Sequence, residues 1–216
     1  MITNQAEQFY AKSAAVHDDI YEEEERQEDL EELREFVAYA CKGHRVLELA
    51  CGTGYWTEVI AETAEHVLAT DINPEMIALA QERGLPDDKV EWGVLDAWQL
   101  PEDIGNITAV FIGFWWSHVA REDQERFLKS LRARVGKDVL LVVADDDYVD
   151  GISEPIARTD AAGNTYQVRQ APDGDYYEIL KNYLSDSALR KKLAGSVREI
   201  RIERWEFYVL LTCRLK

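Results

Sequence analysis

Hydrophobic positions along the chain change period several times, and each change marks an expected element. From about Asn4 to Ala40, Leu30, Leu33, Phe36 and Val37 recur at three- and four-residue spacing. That spacing predicts a helical segment with one stripe packed on the main body. The acidic run Glu22–Glu25 falls on its solvated side, and Gly43 in Lys42-Gly43-His44 is placed to stop the helix. From Arg45 onward, short apolar runs alternate with helical stretches. Strands are expected at Val46–Ala50, Val67–Thr70, Val90–Val94, Ala109–Gly113 and Asp138–Ala144. The helices between them run from about Gly54 to Glu65, from Pro74 through Arg83, and from about Arg121 to Arg134. Buried runs separated by helices predict βαβ units and a mainly parallel sheet.

After Ala144 the pattern loosens for roughly 40 residues before the next helix, at about Asp186–Ala194, too long for a plain connection. Within this stretch Tyr166–Arg169 and Tyr176–Leu180 flank Pro172-Asp173-Gly174, which predicts a hairpin. The last two strand-like runs, Val197–Ile202 and Trp205–Cys213, have a join too short for a parallel crossover, so they are expected to be antiparallel. The whole is read as one domain. Residues 1–40 form a helical cap, 41–145 the core, 146–184 an insert that folds back as a lid, and 185–216 the final helix and strand pair.

Composition narrows the partners. The chain of 216 residues carries 24 Lys and Arg against 42 Asp and Glu, a formal net charge of −18. Such a field repels phosphate backbones and anionic membrane surfaces, and the short basic clusters Arg126–Arg134 and Arg190–Lys192 read as solvated helix faces. Neither nucleic acid nor a membrane is expected as a partner. Cys41, Cys51 and Cys213 are odd in number and far apart, which argues against a disulfide framework or zinc cluster and fits a reducing cytoplasm. No metal is expected. No run approaches the length of a membrane helix, and no secretion signal opens the chain.

The most informative stretch is Val46-Leu47-Glu48-Leu49-Ala50-Cys51-Gly52-Thr53-Gly54-Tyr55, a buried strand running through G-x-G into a helix. Glycines there permit a sharp turn and close approach of backbone to a ligand. Asp71 ends the second strand, where a carboxylate can accept both hydroxyls of a ribose; it also fits a helix N-cap, a role Asn73 fills better. Asp96 follows the third strand, where it can accept from an adenine amino group or cap a helix. All three features sit at C-terminal strand ends, where open α/β sheets bind ligands. A dinucleotide is disfavoured. Tyr55, Trp56 and Thr57 follow the second glycine with no third one, and Glu48 would repel a pyrophosphate while accommodating an ammonium group.

In these residues the chain resembles the class I S-adenosylmethionine-dependent methyltransferases, in particular the small-molecule branch that includes ubiquinone and menaquinone biosynthesis methyltransferases. Glu48 through Gly54 matches the family's E/D-x-x-x-G-x-G motif, Asp71 its ribose-binding acid, Asp96-Ala97 its adenine-side acid, and Ala109–Gly113 with Phe114 its fourth motif. The resemblance implies a Rossmann-like, seven-stranded, mostly parallel sheet with an antiparallel C-terminal hairpin and helices on both faces. It implies S-adenosyl-L-methionine as cofactor, with S-adenosyl-L-homocysteine as product. The cofactor-binding set it implies comprises Tyr10, Tyr21, Glu48, Ala50, Gly52, Gly54, Tyr55, Asp71, Ile72, Asn73, Met76, Asp96, Ala97, Trp98, Gly113 and Phe114. Tyr10 and Tyr21 belong to an N-terminal aromatic segment that in the family closes over the cofactor.

On the acceptor side, Trp115 and Trp116 could stack on a planar substrate, and Tyr148, Tyr166 and Arg169 could complete its walls. His118 and Asp145 are the candidate catalytic groups, for proton removal or orientation of the acceptor. His17, His44 and His66 read as surface or packing residues. The expected reaction is methyl transfer to a small, planar or heterocyclic metabolite at carbon, nitrogen or oxygen, by a monomer or homodimer. A quinone-ring C-methyltransferase, a protein methyltransferase and a cofactor-binding module without transfer are the alternatives.

Overall fold

The computed structural model describes residues 4–183 and 185–216; the first three residues of the expected cap, and Leu184 at the end of the expected insert, lie outside the described residues. Strands β1 (Arg45–Leu49), β2 (His66–Asp71), β3 (Val90–Val94), β4 (Ala109–Gly113), β5 (Leu140–Asp146), β9 (Val197–Arg204) and β10 (Tyr208–Leu215) form one seven-stranded sheet in the order β3-β2-β1-β4-β5-β10-β9. The first five run parallel, and β10 is antiparallel to both β5 and β9. Helices α3 (Tyr55–Ala61), α4 (Pro74–Gln81), α5 (Gln124–Val135) and α6 (Asp186–Leu193) connect or flank the strands.

The central strands are apolar on both sides because both faces are covered. Along β4, Ala109 and Phe111 pack with Trp56, Val59 and Ile60 of α3, whereas Val110 and Ile112 pack with Phe127, Leu128 and Leu131 of α5. Strand order reverses between β1 and β4, the two strands from which the chain winds outward in opposite directions. Their C-terminal ends therefore leave a crevice, and everything at the site follows from that gap.

The expected continuous helix over residues 4–40 is broken. It consists of α1 (Asn4–Ser13), two 3-10 segments (Ala14–Tyr21 and Glu24–Arg26) and α2 (Gln27–Cys41). In one straight helix Asp18 and Glu22, and Asp19 and Glu23, would stack like charges four residues apart. The tighter segments instead follow the rim of the crevice. On α2, Leu30, Leu33, Val37 and Cys41 are buried, but Phe36 stays 43% exposed with its ring 5.5 Å from that of Trp205. One residue before Val37, it is turned about 100° off the buried stripe.

The long stretch after β5 carries its own sheet. Strands β6 (Arg158–Thr159), β7 (Thr165–Gln170) and β8 (Tyr176–Leu180) pair antiparallel, with the β7–β8 turn at the expected Pro172-Asp173-Gly174. Ala6 and Phe9 of α1 pack against Ala171, Tyr177 and Ile179, and Lys12 reaches Asp175 at 2.8 Å. The N-terminal cap and this small sheet thus make a joint roof over the crevice. Among the described residues, no helix is long and apolar enough to cross a membrane.

Candidate active site

Strand β1 ends in a loop built on left-handed backbone at Ala50 (φ 55°), Gly52 (φ 56°) and Gly54 (φ 80°). At Gly54 both conformation and space require glycine, because a Cβ there would lie 3.1 Å from Ala80 Cβ and 3.1 Å from the Trp92 ring. The turn is pinned by the Cys51 amide donating to Thr70 O at 2.9 Å and the Gly52 amide donating to Asp71 Oδ2 at 3.0 Å. The other oxygen of Asp71 accepts from the Asn73 amide at 2.8 Å. Asp71 is thus locked at the tip of β2, 7% exposed, with lone pairs left for a further donor. Burial pushes its carboxyl above the usual range, and the amides of Asn73 and Gly52 work against that rise.

Glu48, one strand over, is 1% exposed, and its Oε2 accepts from the Thr57 hydroxyl at 2.6 Å. Burial, reinforced by nearby Asp71, pushes its carboxyl up to about 8 despite that hydrogen bond. An N-terminal clasp covers this end. Asp18 accepts from the Thr53 hydroxyl and pairs with Arg83, whose Nε donates to Thr53 O at 2.6 Å. Tyr21 stacks on Tyr55 at 3.8 Å and accepts from Trp56 Nε1 at 3.1 Å.

These groups line one end of a cavity of about 380 Å³ that continues under the roof. Tyr10, His118, Arg169, Lys181 and Asp146 line the same cavity, with Asp146 at the tip of β5 and His118 just after β4. His118 is 3% exposed; its Nδ1 lies 2.6 Å from Leu180 O and its Nε2 2.8 Å from the Tyr10 hydroxyl. A carbonyl can only accept, so Nδ1 carries the proton and the Nε2 lone pair accepts from Tyr10. Burial, together with the Lys181 and Arg169 charges, holds the ring well below ordinary histidine basicity, so it is neutral at pH 7. Lys181 lies 3.0 Å from Asp145 and 2.7 Å from Asp146. Burial opposes its charge, but the two carboxylates outweigh that and hold it above an ordinary lysine.

The cavity gathers many of the sequence candidates. Tyr10, Tyr21, Glu48, Ala50, Gly52, Tyr55, Asp71, Ile72, Asn73, Met76, Gly113 and Phe114 line it, as do Trp115, His118 and Arg169. Gly54, Asp96, Ala97, Trp98, Tyr148, Tyr166, Trp116 and Asp145 do not. Asp96 caps its own turn, accepting from the Trp98 amide at 2.8 Å. Trp116 is buried against Phe127 on the α5 side of the sheet. Tyr166 lies under the Arg158 guanidinium, 3.5 Å from its ring centre, and Tyr148 packs on Tyr183. Asp145 faces away from the cavity, accepting from the Ser117 amide at 2.7 Å, the Ser117 hydroxyl at 2.9 Å and Lys181. Strand alternation explains the exchange, since Asp145 and Asp146 on β5 point to opposite faces. Sequence reasoning missed His17 and Lys181 and chose Asp145 over its neighbour Asp146; His17, Lys181 and Asp146 all line the cavity. His17 was read as a surface or packing residue, and Lys181 stood in an insert with no motif to mark it.

Residues 46–138 match the family model described as a methyltransferase domain. Over these residues the chain is similar to methyltransferase domains, and its strand order is that of the Rossmann-like methyltransferase fold. It is distantly related to a demethylmenaquinone methyltransferase of Clavibacter sepedonicus, with 35% identity over 92 residues, covering 42% of this chain and 38% of that one. The chain spans well under half the length of the curated relatives it matches. The likeness to solved structures of DhpI extends over nearly the whole chain. The DhpI–SAH complex is 27% identical with a TM-score of 0.76, and the DhpI–SAM–HEP complex is 28% identical with a TM-score of 0.77. Each covers 99% of this chain and 97% of DhpI.

Proposed function

We propose that the protein transfers the methyl group of S-adenosylmethionine to a small, polar molecule bound in the roofed end of the cavity. The observation that carries this reading is the continuity of the cavity. It joins a nucleoside-type end, marked by Gly52 and Asp71, to an enclosed end marked by Tyr10, His118, Arg169 and Lys181. The residues present fit the cofactor. Asp71 offers a carboxylate already oriented by two backbone amides, suited to a ribose diol, and Glu48 offers a buried acid to an ammonium group. When bound, the cofactor supplies a sulfonium-activated methyl carbon. The similar protein DhpI forms a DhpI–SAM–HEP complex, a precedent for a third component bound together with SAM.

The chain's own contribution is position, dryness and proton handling. The clasp of Asp18 and Tyr21 and the roof of α1 and β7–β8 exclude water. For an acceptor hydroxyl or amine, the His118 Nε2 lone pair can take the proton directly or through the Tyr10 hydroxyl that now occupies it. Of the two tryptophans expected to stack on a planar acceptor, Trp115 lines the cavity and Trp116 is packed away from it.

The test is to incubate the protein with S-adenosylmethionine and fractionated metabolite extracts and to follow S-adenosylhomocysteine by mass spectrometry. Acceptor-dependent product is expected from fractions of small polar molecules. Tight cofactor binding with no turnover in any fraction would instead establish a binding module.

A further inference from the structure

Resting on the methyl-transfer reading above, we infer that the acceptor carries an oxyanion, a carboxylate or a phosphate-type group, gripped by the guanidinium of Arg169. Arg169 sits on β7 and lines the cavity, with a buried Nε that has no hydrogen-bond partner among the described residues. Its Nη2 donates to Gln167 Oε1 at 2.9 Å. Gln167 is in turn fixed, because its Nε2 donates to Glu154 O at 2.7 Å and to the Tyr183 hydroxyl at 3.0 Å. The amide oxygen therefore has to face Arg169. A neutral group positions this guanidinium; burial works against its charge, and Asp146 and Glu154 support that charge from nearby without pairing with it.

The neighbouring charges are accounted for. Lys181 is paired with both Asp145 and Asp146, so Asp146 is already engaged although it too lines the cavity. Among the described residues, no carboxylate forms an ion pair with Arg169. Tyr10, His17 and His118 supply neutral polar edges around it. A guanidinium that lines the cavity with no carboxylate partner, on the residue type whose planar fork fits carboxylate and phosphate, is a donor suited to an anion bound there. In a chain of net charge −18 an anion would not collect there by the general field; it needs a built seat. The methionine carboxylate of the donor is also an oxyanion. Arg169 comes from the insert, and His17, which lies against Gly52 and feels the Arg169 charge, shows that the two anion sites would adjoin, so the donor's own site has to be filled in the test.

The experiment uses the full chain saturated with S-adenosylhomocysteine, so that the donor's carboxylate site is filled. Inorganic phosphate, acetate and neutral acetamide are titrated by calorimetry into wild type, R169Q and R169K. Saturable binding of phosphate or acetate but not acetamide is expected, at least tenfold weaker in R169Q and several-fold weaker in R169K, which keeps the charge but loses the fork. The affinity for S-adenosylhomocysteine should stay within threefold in both variants, which also reports that they are folded; should R169Q fail that control, R169K decides. Phosphate against acetate separates the two oxyanion classes. Absence of anion binding, or equal binding in wild type and variants, overturns the proposal while leaving methyl transfer intact. A tenfold loss of S-adenosylhomocysteine affinity in R169K overturns it too, by assigning the guanidinium to the donor. If wild type fails to bind S-adenosylhomocysteine at all, the methyl-transfer reading itself falls.

Discussion

Glu48→Gln isolates the charge of one buried acid without changing its shape. In the folded chain Glu48 ionises at about 8 against an ordinary 4.5, mainly because it is buried. Between those values the unfolded chain has lost this proton and the folded chain retains it, so each rise of one pH unit weakens folding by about 1.4 kcal/mol at this site. From pH 5.5 to 7.5 wild type should therefore lose about 3 kcal/mol that the glutamine variant does not lose. Asp71 and Arg83, the charged groups that act on Glu48, are the same in both proteins, so the difference between them belongs to residue 48. Urea unfolding of both proteins across that window measures the gap, which should grow in favour of E48Q and level off above about pH 8. Binding of S-adenosylhomocysteine gives a second reading. Its ammonium group beside Glu48 should draw the carboxyl into its charged form, so wild type releases a proton on binding at pH 7, seen as calorimetric heats that vary with buffer, and E48Q does not. A stability gap that stays flat with pH would refute the reasoning, because it would mean that Glu48 is charged when folded.

Other substitutions probe the remaining parts of the site. Asp71→Ala should weaken S-adenosylhomocysteine binding by about 1.5–3 kcal/mol, since it removes a charged acceptor and unpins the Gly52 turn; unchanged calorimetric affinity would strip Asp71 of the ribose role. Lys181→Met leaves Asp145 and Asp146 without their shared cation and should cost about 3–5 kcal/mol in urea unfolding, part of it recovered when both acids are changed to asparagine. Gly54→Ala forces φ 80° on a residue with a Cβ 3.1 Å from two neighbours, and should cost about 2 kcal/mol or more in the same assay together with loss of cofactor binding.

The sheet was legible because its central strands are buried on both faces and so read as unbroken apolar runs, Ala109–Gly113 above all. The antiparallel C-terminal pair followed from the shortness of its join, which admits no crossover. The N-terminal segment was legible only in part. Its apolar stripe places α2, but the break at Ala14–Arg26 depends on what the chain wraps, and neither the Thr53 loop nor Tyr55 is a sequence neighbour of Asp18 or Tyr21.

The two ends of the cavity differ in how the chain builds them, and that difference decides what could be read. The proposed cofactor end rests on residues at strand tips, where backbone geometry calls for glycine and a carboxylate at fixed places, as Gly52 and Asp71 illustrate. The proposed acceptor end is assembled from four distant segments: Tyr10 on α1, His118 after β4, Asp146 on β5, and Arg169 with Lys181 from the small sheet and its exit. No spacing rule links such residues, and Asp145 and Asp146, adjacent at the end of β5, do not reveal from sequence which one faces inward. Register answers that. Asp146 pairs opposite Tyr208 and Asp145 opposite Val209, and the one-residue step turns one acid into the cavity and the other onto Ser117. Lys181 bridges both, so a single buried cation ties the strand that carries the donor crevice to the insert that carries Arg169. A change of acceptor among related chains is then expected to fall on the insert and on α1, while the β1–β2 end stays chemically the same.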